Sequence, residues 1–172
     1  MKKTLNKQAL ESIIRVNQAG EFGAKRIYEG QLAILTGNKK IQHMYEQELE
    51  HLKYFDQQRK ARDIKPTIFT PLWNLAGFAL GAGTALLGEK AAMACTVAVE
   101  EVIDEHYQEQ LSLLNKSSEK ELYKKIEKFR AEELEHRDTG LEYGAKEAPA
   151  YNLLTQFVRC ASKTAIFLSK RV

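Results

Sequence analysis

Four stretches of this chain place an acid or an imidazole where an amphipathic helix keeps its buried apolar seam, and few folds accommodate that. The first seam runs Ile14, Asn17, Glu21, Ala24, Tyr28, Leu32, Leu35, in steps of three and four. The second runs Ile41, Met44, Glu48, His51, Phe55. The third reads Met93, Val97, Glu100, Ile103, Tyr107, Leu111, Leu114, and the fourth Leu122, Ile126, Phe129, Glu133, His136, Gly140, Tyr143. Each stretch therefore directs carboxylate or imidazole into a core.

Breakers separate the stretches. Thr36-Gly37-Asn38 ends a first helix over roughly 5–36, and a second, about 39–63, stops before Pro66. Asn115–Ser118 divides a third helix, ending near 114, from a fourth starting at Ser118, where Ser118 and Glu121 predict a capping box. A last amphipathic helix is expected after Pro149, over about 150–170. With only three prolines in 172 residues and no strand-like alternation, the class is all-α. The length suits one domain, 1–172. Glu21, Tyr28 and Gln31-Leu32 recur at the same spacing as Glu100, Tyr107 and Gln110-Leu111. Gln47-Glu48-Leu49-Glu50-His51 is echoed by Glu132-Glu133-Leu134-Glu135-His136. One helical hairpin used twice predicts a four-helix bundle with pseudo-twofold symmetry.

At about 1.5 Å per residue, each hairpin puts its polar groups roughly 15–22 Å from its turn, so the four meet at one level. Residues at i and i+3 share a face, so each Glu reaches the same place as its His. Four buried carboxylates without counter-charge would cost several kcal/mol each, and no Lys or Arg lies on the seams at that level. Two divalent cations balance them, with neutral imidazoles completing the ligand sets. One Glu from each of two helices plus Glu-x-x-His from the other two is the pattern of di-iron and di-manganese carboxylate bundles. The candidate ligands are Glu21, Glu48, His51, Glu100, Glu133 and His136. Cys95 and Cys160 have no metal or redox spacing, which argues against iron–sulfur and structural zinc sites. Both read as buried free thiols in a reducing compartment. Glu50, Glu101, Glu132 and Glu135 lie off the seams and read as surface acids that can also serve as outer partners of the ligands. Tyr28 and Tyr107 read as core. Tyr107, two turns beyond Glu100, is also the catalytic candidate, lining an oxygen or substrate pocket.

From Pro66 to Gly88 no residue is charged, a run of 23. On length it is a transmembrane candidate. Spanning would put the two hairpins on opposite sides of the bilayer and keep the six ligands apart. The segment is therefore expected to be a crossover whose apolar surface dips into one leaflet, with Trp73 in contact with lipid; a crossover packed on the bundle is the alternative. The last helix, with Phe157 and Leu168 set against Arg159, Lys163, Lys170 and Arg171, is expected to assist there. A net charge of +3 with no basic–aromatic cluster argues against nucleic acid. No apolar run follows Met1-Lys2-Lys3-Thr4, so no secretory signal is expected, nor is an organelle leader.

Three motifs carry a family resemblance over essentially the whole chain. Arg15–Ala24 (RVNQAGEFGA), Ala94–Glu101 (ACTVAVEE) and Glu132–Arg137 (EELEHR) resemble the demethoxyubiquinone hydroxylases of ubiquinone biosynthesis. The resemblance implies a ferritin-like bundle with a long crossover and an extra C-terminal helix. It implies two iron ions per chain, with Glu21 and Glu100 terminal, Glu48 and Glu133 bridging, and His51 and His136 completing one iron each. It also implies dioxygen activation and hydroxylation of a demethoxy-polyprenylbenzoquinol. The setting would be peripheral, on the cytoplasmic face of a bacterial cell membrane, as a homo-oligomer or in assembly with other ubiquinone-biosynthesis proteins. Where the family often has a second His after the last ligand, this chain has Arg137. Bacterioferritin-type stores share the six ligand types, but their haem methionine is Leu49 here. Rubrerythrin-like peroxidases would carry a Cys-x-x-Cys, which is missing. Manganese catalase fits the size less well, and six intact ligands give little motive for a membrane scaffold with a vestigial site.

Overall fold

A computed structural model describes residues 5–171; the N-terminal stretch in which no secretory signal was expected begins outside them. Among the described residues six α-helices follow one another: α1 (Lys7–Ile34), α2 (Lys39–Ala61), α3 (Thr70–Leu86), α4 (Glu89–Leu114), α5 (Lys120–Glu142) and α6 (Tyr151–Ser169). A short 3₁₀ turn, Ala145–Glu147, precedes α6, and there is no strand among the described residues. The fold is an all-α, ferritin-like bundle with an extra C-terminal helix. α1 and α2 form one hairpin and α4 and α5 the other; α3 lies along α1, and α6 lies along α4 and reaches α1.

That arrangement explains the sequence patterns. α2 and α5 bury only one stripe each, Ile41, Met44, Glu48, His51, Phe55 and Leu122, Ile126, Phe129, Glu133, His136, Gly140. α4 is covered on several sides, so its residues from Ala91 to Glu100 are buried without interruption. Asn38 starts α2 by accepting from the amides of Lys40 and Ile41. At α5 the structure departs from expectation. The cap residue is Glu119, and Ser117 rather than Ser118 takes the amide of Glu119. Glu121 turns to Lys124, so the predicted capping box is not made.

The charge-free segment is a helix with two different faces. Gly77 and Gly81 press against α1: a Cβ at Gly81 would sit 1.9 Å from the carbonyl oxygen of Ile27, and one at Gly77 2.9 Å from that of Gly23. Only glycine permits such backbone approach. The outer face is bare, with Leu75 and Leu86 each 71% exposed. No helix among the described residues is long and apolar enough to cross a membrane.

Trp73 does not share the bare face. It is half-buried, and its indole N–H donates to Ser169 Oγ at 3.1 Å, tying α3 to α6. α6 likewise buries Val158 and leaves Leu153, Phe157 and Phe167 exposed. Its cations turn to α4, with Arg159 on Glu101 and Lys163 2.8 Å from Glu105. Cys95 is buried, whereas Cys160 is exposed on α6, because its helical position falls on the side away from α4. Tyr143, placed on a seam by periodicity, is exposed where α5 ends.

Candidate metal centre

The six seam residues converge in the middle of the bundle, all buried. They form two groups, Glu21, Glu48, His51, Glu133 and Glu48, Glu100, Glu133, His136, each with ligand atoms within 4.8 Å of one another. Glu48 and Glu133 belong to both. His51 Nδ1 lies 3.0 Å from Glu133 and 3.5 Å from Glu21; His136 Nδ1 lies 3.1 Å from Glu133 and 3.4 Å from Glu48. Both imidazoles therefore turn the same nitrogen inward.

Hydrogen bonds that the sequence did not announce fix the set. The Tyr28 hydroxyl donates to Glu100 Oε1 at 2.9 Å, and the Tyr107 hydroxyl donates to Glu21 Oε1. Each tyrosine thus serves the glutamate of the opposite hairpin and holds one of its oxygens. On their outer sides His51 Nε2 meets Glu132 Oε2 and His136 Nε2 meets Gln47 Oε1, both at 2.9 Å. Of the off-seam acids, Glu132 alone reaches a candidate ligand; Glu101 pairs with Arg159, Glu50 and Glu135 are exposed, and Arg137 pairs with Asp138. The repeat carried the missed signal: a Tyr seven residues after Glu21 and after Glu100, and a polar residue immediately before each Glu-x-x-His. One turn from Glu21, Asn17 and Gln110 exchange reciprocal side-chain hydrogen bonds of 2.7 and 2.8 Å. His106 sits 2.7 Å from the same Gln110, and burial, with the charge of Lys170, lowers its pKa to about 4.

The electrostatics are those of a cation cage. Burial first, then the charges of Glu133, Glu21 and Glu100, pushes the Glu48 carboxyl well above its usual range. Burial and Glu133 do the same to Glu100. Burial disfavours charge on His51, yet hydrogen bonds to Glu133 and Glu21 prevail and raise it to about 12. Burial would raise Glu133 too, but the imidazoles of His136 and His51 lying against it bring it below the normal carboxylate range. Both Glu48 oxygens, one oxygen each of Glu100 and Glu133, and His136 Nδ1 are buried without a hydrogen-bond partner. Buried polar atoms are rarely left so. Their convergence, and a donor set of oxygen and nitrogen without sulfur, fit hard-to-borderline divalent ions such as iron or manganese.

Behind this centre lies an apolar cavity of about 520 Å³ between α1, α3 and α6. Gly20 and Ala24 of α1 and Val99 of α4, close neighbours of Glu21 and Glu100, form one wall; Trp73, Leu80 and Phe157 form others. Tyr107 is not part of that lining; it stays inside the bundle on Glu21.

Comparison with known proteins agrees with the architecture. Residues 8–169 match the family described as ubiquinone biosynthesis protein COQ7. The chain is 53% identical to the rat protein named NADPH-dependent 3-demethoxyubiquinone 3-hydroxylase, over 97% of this chain and 80% of that one. It is 51% identical to the 3-demethoxyubiquinol 3-hydroxylase of Rhodospirillum rubrum, over 95% of this chain and 78% of the other. Identity to the 5-demethoxyubiquinone hydroxylase of Saccharomyces cerevisiae is 38%, over 95% and 78% respectively. With matches of this extent laid over a two-hairpin bundle that buries four glutamates and two histidines together, the chain belongs to the COQ7 family of ubiquinone biosynthesis proteins.

Proposed function

We propose that this chain is a single-domain di-iron 3-demethoxyubiquinol 3-hydroxylase that works from the surface of a bacterial membrane, on its cytoplasmic side. The observation that carries the reading is the pair of buried ligand groups sharing Glu48 and Glu133, with orphaned oxygens pointing inward. Glu21 and His51 would hold one iron, Glu100 and His136 the other, and Glu48 and Glu133 would bridge them. Four carboxylates against two divalent ions leave the filled site neutral. Iron held there supplies the redox chemistry by which dioxygen hydroxylates the quinol ring.

The chain's own part is to bind, orient and exclude water. Tyr28 and Tyr107 each occupy one oxygen of a terminal glutamate, leaving the other for an ion. The apolar cavity beside Glu21 and Glu100 suits an isoprenoid-bearing ring, and the exposed leucines of α3 and α6 suit entry from lipid. One oxygen atom enters the ring and the other leaves as water, which requires two electrons and two protons from a reductant. NADPH, which the names of several relatives include, is the donor to try first.

The test is oxygen uptake by the iron-loaded protein, with and without a demethoxy-polyprenylquinol, followed by mass analysis of the lipid. Quinol-dependent uptake, with the label of heavy dioxygen in the product ring, is expected. Uptake that follows added ferrous iron, ignores quinol and builds a ferric mineral would replace this reading with iron storage.

A further inference from the structure

The internal repeat sets up a comparison inside one molecule. Gln47 and Glu132 hold equivalent places, each immediately before the glutamate of a Glu-x-x-His set. Each reaches across to the histidine of the other hairpin, Glu132 to His51 and Gln47 to His136, at 2.9 Å in both cases. Both histidines turn Nδ1 to the carboxylates and Nε2 outward. The hydrogen bonds match in length and direction but not in charge, since one acceptor is a carboxylate and the other a neutral amide.

That difference has a chemical consequence. With Nδ1 free to ligate, a neutral imidazole carries its proton on Nε2 and donates it outward. A bond to carboxylate is charge-assisted and roughly twice as strong as one to an amide. It draws the proton away from the ring, so Nδ1 becomes the more basic ligand and supports a higher charge on the ion it holds. The position beside His136 receives no such help. Glu132 is held in place for the role, because its other oxygen pairs with Lys128 and the side chain is only 18% exposed. Gln47 is also partly buried.

Resting on the di-iron reading above, we propose that the two ion positions are inequivalent. Glu132 is a positioning residue that makes the site of Glu21 and His51 the tighter of the two and the one that more readily holds a ferric ion. The site of Glu100 and His136, backed by Gln47, fills second.

The experiment is an anaerobic titration of the metal-free full chain with cobalt(II), followed by its visible bands, with Mössbauer spectra of the protein loaded with ⁵⁷Fe. Wild type should fill in two separable steps and give two distinct ferric quadrupole doublets. Glu132→Gln should weaken the first step about tenfold to a hundredfold, leave the second unchanged and bring the doublets together. Gln47→Glu should do the converse, tightening the second step toward the first. That gain is not something a merely structural contact would provide, and it tests the idea even if Glu132→Gln folds poorly. Two indistinguishable steps in wild type, or equal weakening of both steps in Glu132→Gln, would overturn the asymmetry while leaving the dinuclear centre standing. No cobalt bound by wild type would overturn the centre itself and the asymmetry with it.

Discussion

The middle of the bundle and the flank formed by α3 and α6 break the ordinary rule of burial in opposite directions. Inside, Glu21, Glu48, Glu100 and Glu133 are all but inaccessible; outside, Leu75, Leu86 and Leu153 are each 71% exposed. A buried carboxylate without a partner costs several kcal/mol, and a leucine left in water forgoes about 1.5–3 kcal/mol. Neither region looks like a place where the chain has minimised its own free energy. Each looks like half of an interaction, completed by cations within and by an apolar phase without. The cavity between α1, α3 and α6 is walled by the chain neighbours of Glu21 and Glu100 on one side and by apolar residues of the flank on the other.

The largest effect should come from removing a glutamate shared by both ligand groups. Glu48→Ala or Glu133→Ala is expected to abolish binding of both ions, measured as iron per chain after reconstitution. In Glu48→Ala the metal-free protein should melt no lower than wild type, because a desolvated carboxyl group without a hydrogen-bond partner has gone. Binding of one full equivalent of iron would break the assignment of Glu48 as a bridge. Next comes Gly81→Ala on the flank. Its Cβ would meet the carbonyl oxygen of Ile27 at 1.9 Å, a backbone atom that cannot swing aside. Overpacking of this kind costs roughly 1–3 kcal/mol, so the melting temperature should fall by several degrees while iron content holds. A variant as stable as wild type would show that α3 is not seated on α1.

The outer face of α3 can be tested without disturbing either region. Leu72→Asp with Leu75→Asp should lower partitioning onto liposomes at least about tenfold, at about 1.5–3 kcal/mol per leucine withdrawn from lipid. Iron content and melting temperature should stay as in wild type. Unchanged flotation with vesicles would assign that face to a protein partner instead.

How far the sequence could be read differs between the regions for a physical reason. In the bundle the seams were legible because a helix repeats every 3.6 residues, so each polar intruder at Glu21, Glu48, Glu100 and Glu133 stood out on an apolar face. The hydrogen bonds of Tyr28, Tyr107, Gln47 and Glu132 were not legible, since they depend on how one hairpin is set against the other. On the flank, composition announced an apolar segment but not which face is bare. The four-residue spacing of Gly77 and Gly81 held that information, as small residues at that interval mark a close helix crossing. Trp73, expected at lipid, turns inward to Ser169 for the same reason: the glycine face fixes the rotation of α3. Cys160 was misplaced because one helical stripe was assumed for α6, which in fact packs through Val158 and leaves apolar residues on its other sides.

The last effect, and the one that separates the two regions most cleanly, is the pH dependence of the metal-free protein. His51 is raised to about 12 against the usual value near 6.5, its hydrogen bonds to Glu133 and Glu21 overcoming burial. Above pH of about 6.5 the unfolded chain gives up this proton and the folded chain keeps it. The stability due to His51 is therefore fully present below that pH and is lost as pH rises toward the folded value. Glu48 and Glu100, raised by burial and neighbouring charge, also keep protons that the unfolded chain has released, so they act with the same sign. Glu133 is depressed and acts oppositely, but only in acid, below the normal carboxylate range. Between pH 6.5 and 9 the stability of the metal-free protein should thus decline by about 1.4 kcal/mol per pH unit for each extra proton held, read as a falling melting temperature. Ions displace these protons, so the loaded protein should show a flatter profile and an apparent metal affinity that climbs with pH. The flank variants, which alter no group titrating in this range, should keep the wild-type slope; His51→Ala should reduce it. A flat profile for the metal-free wild type would mean that the carboxylates of the centre are not held as close together as 4.8 Å between ligand atoms demands.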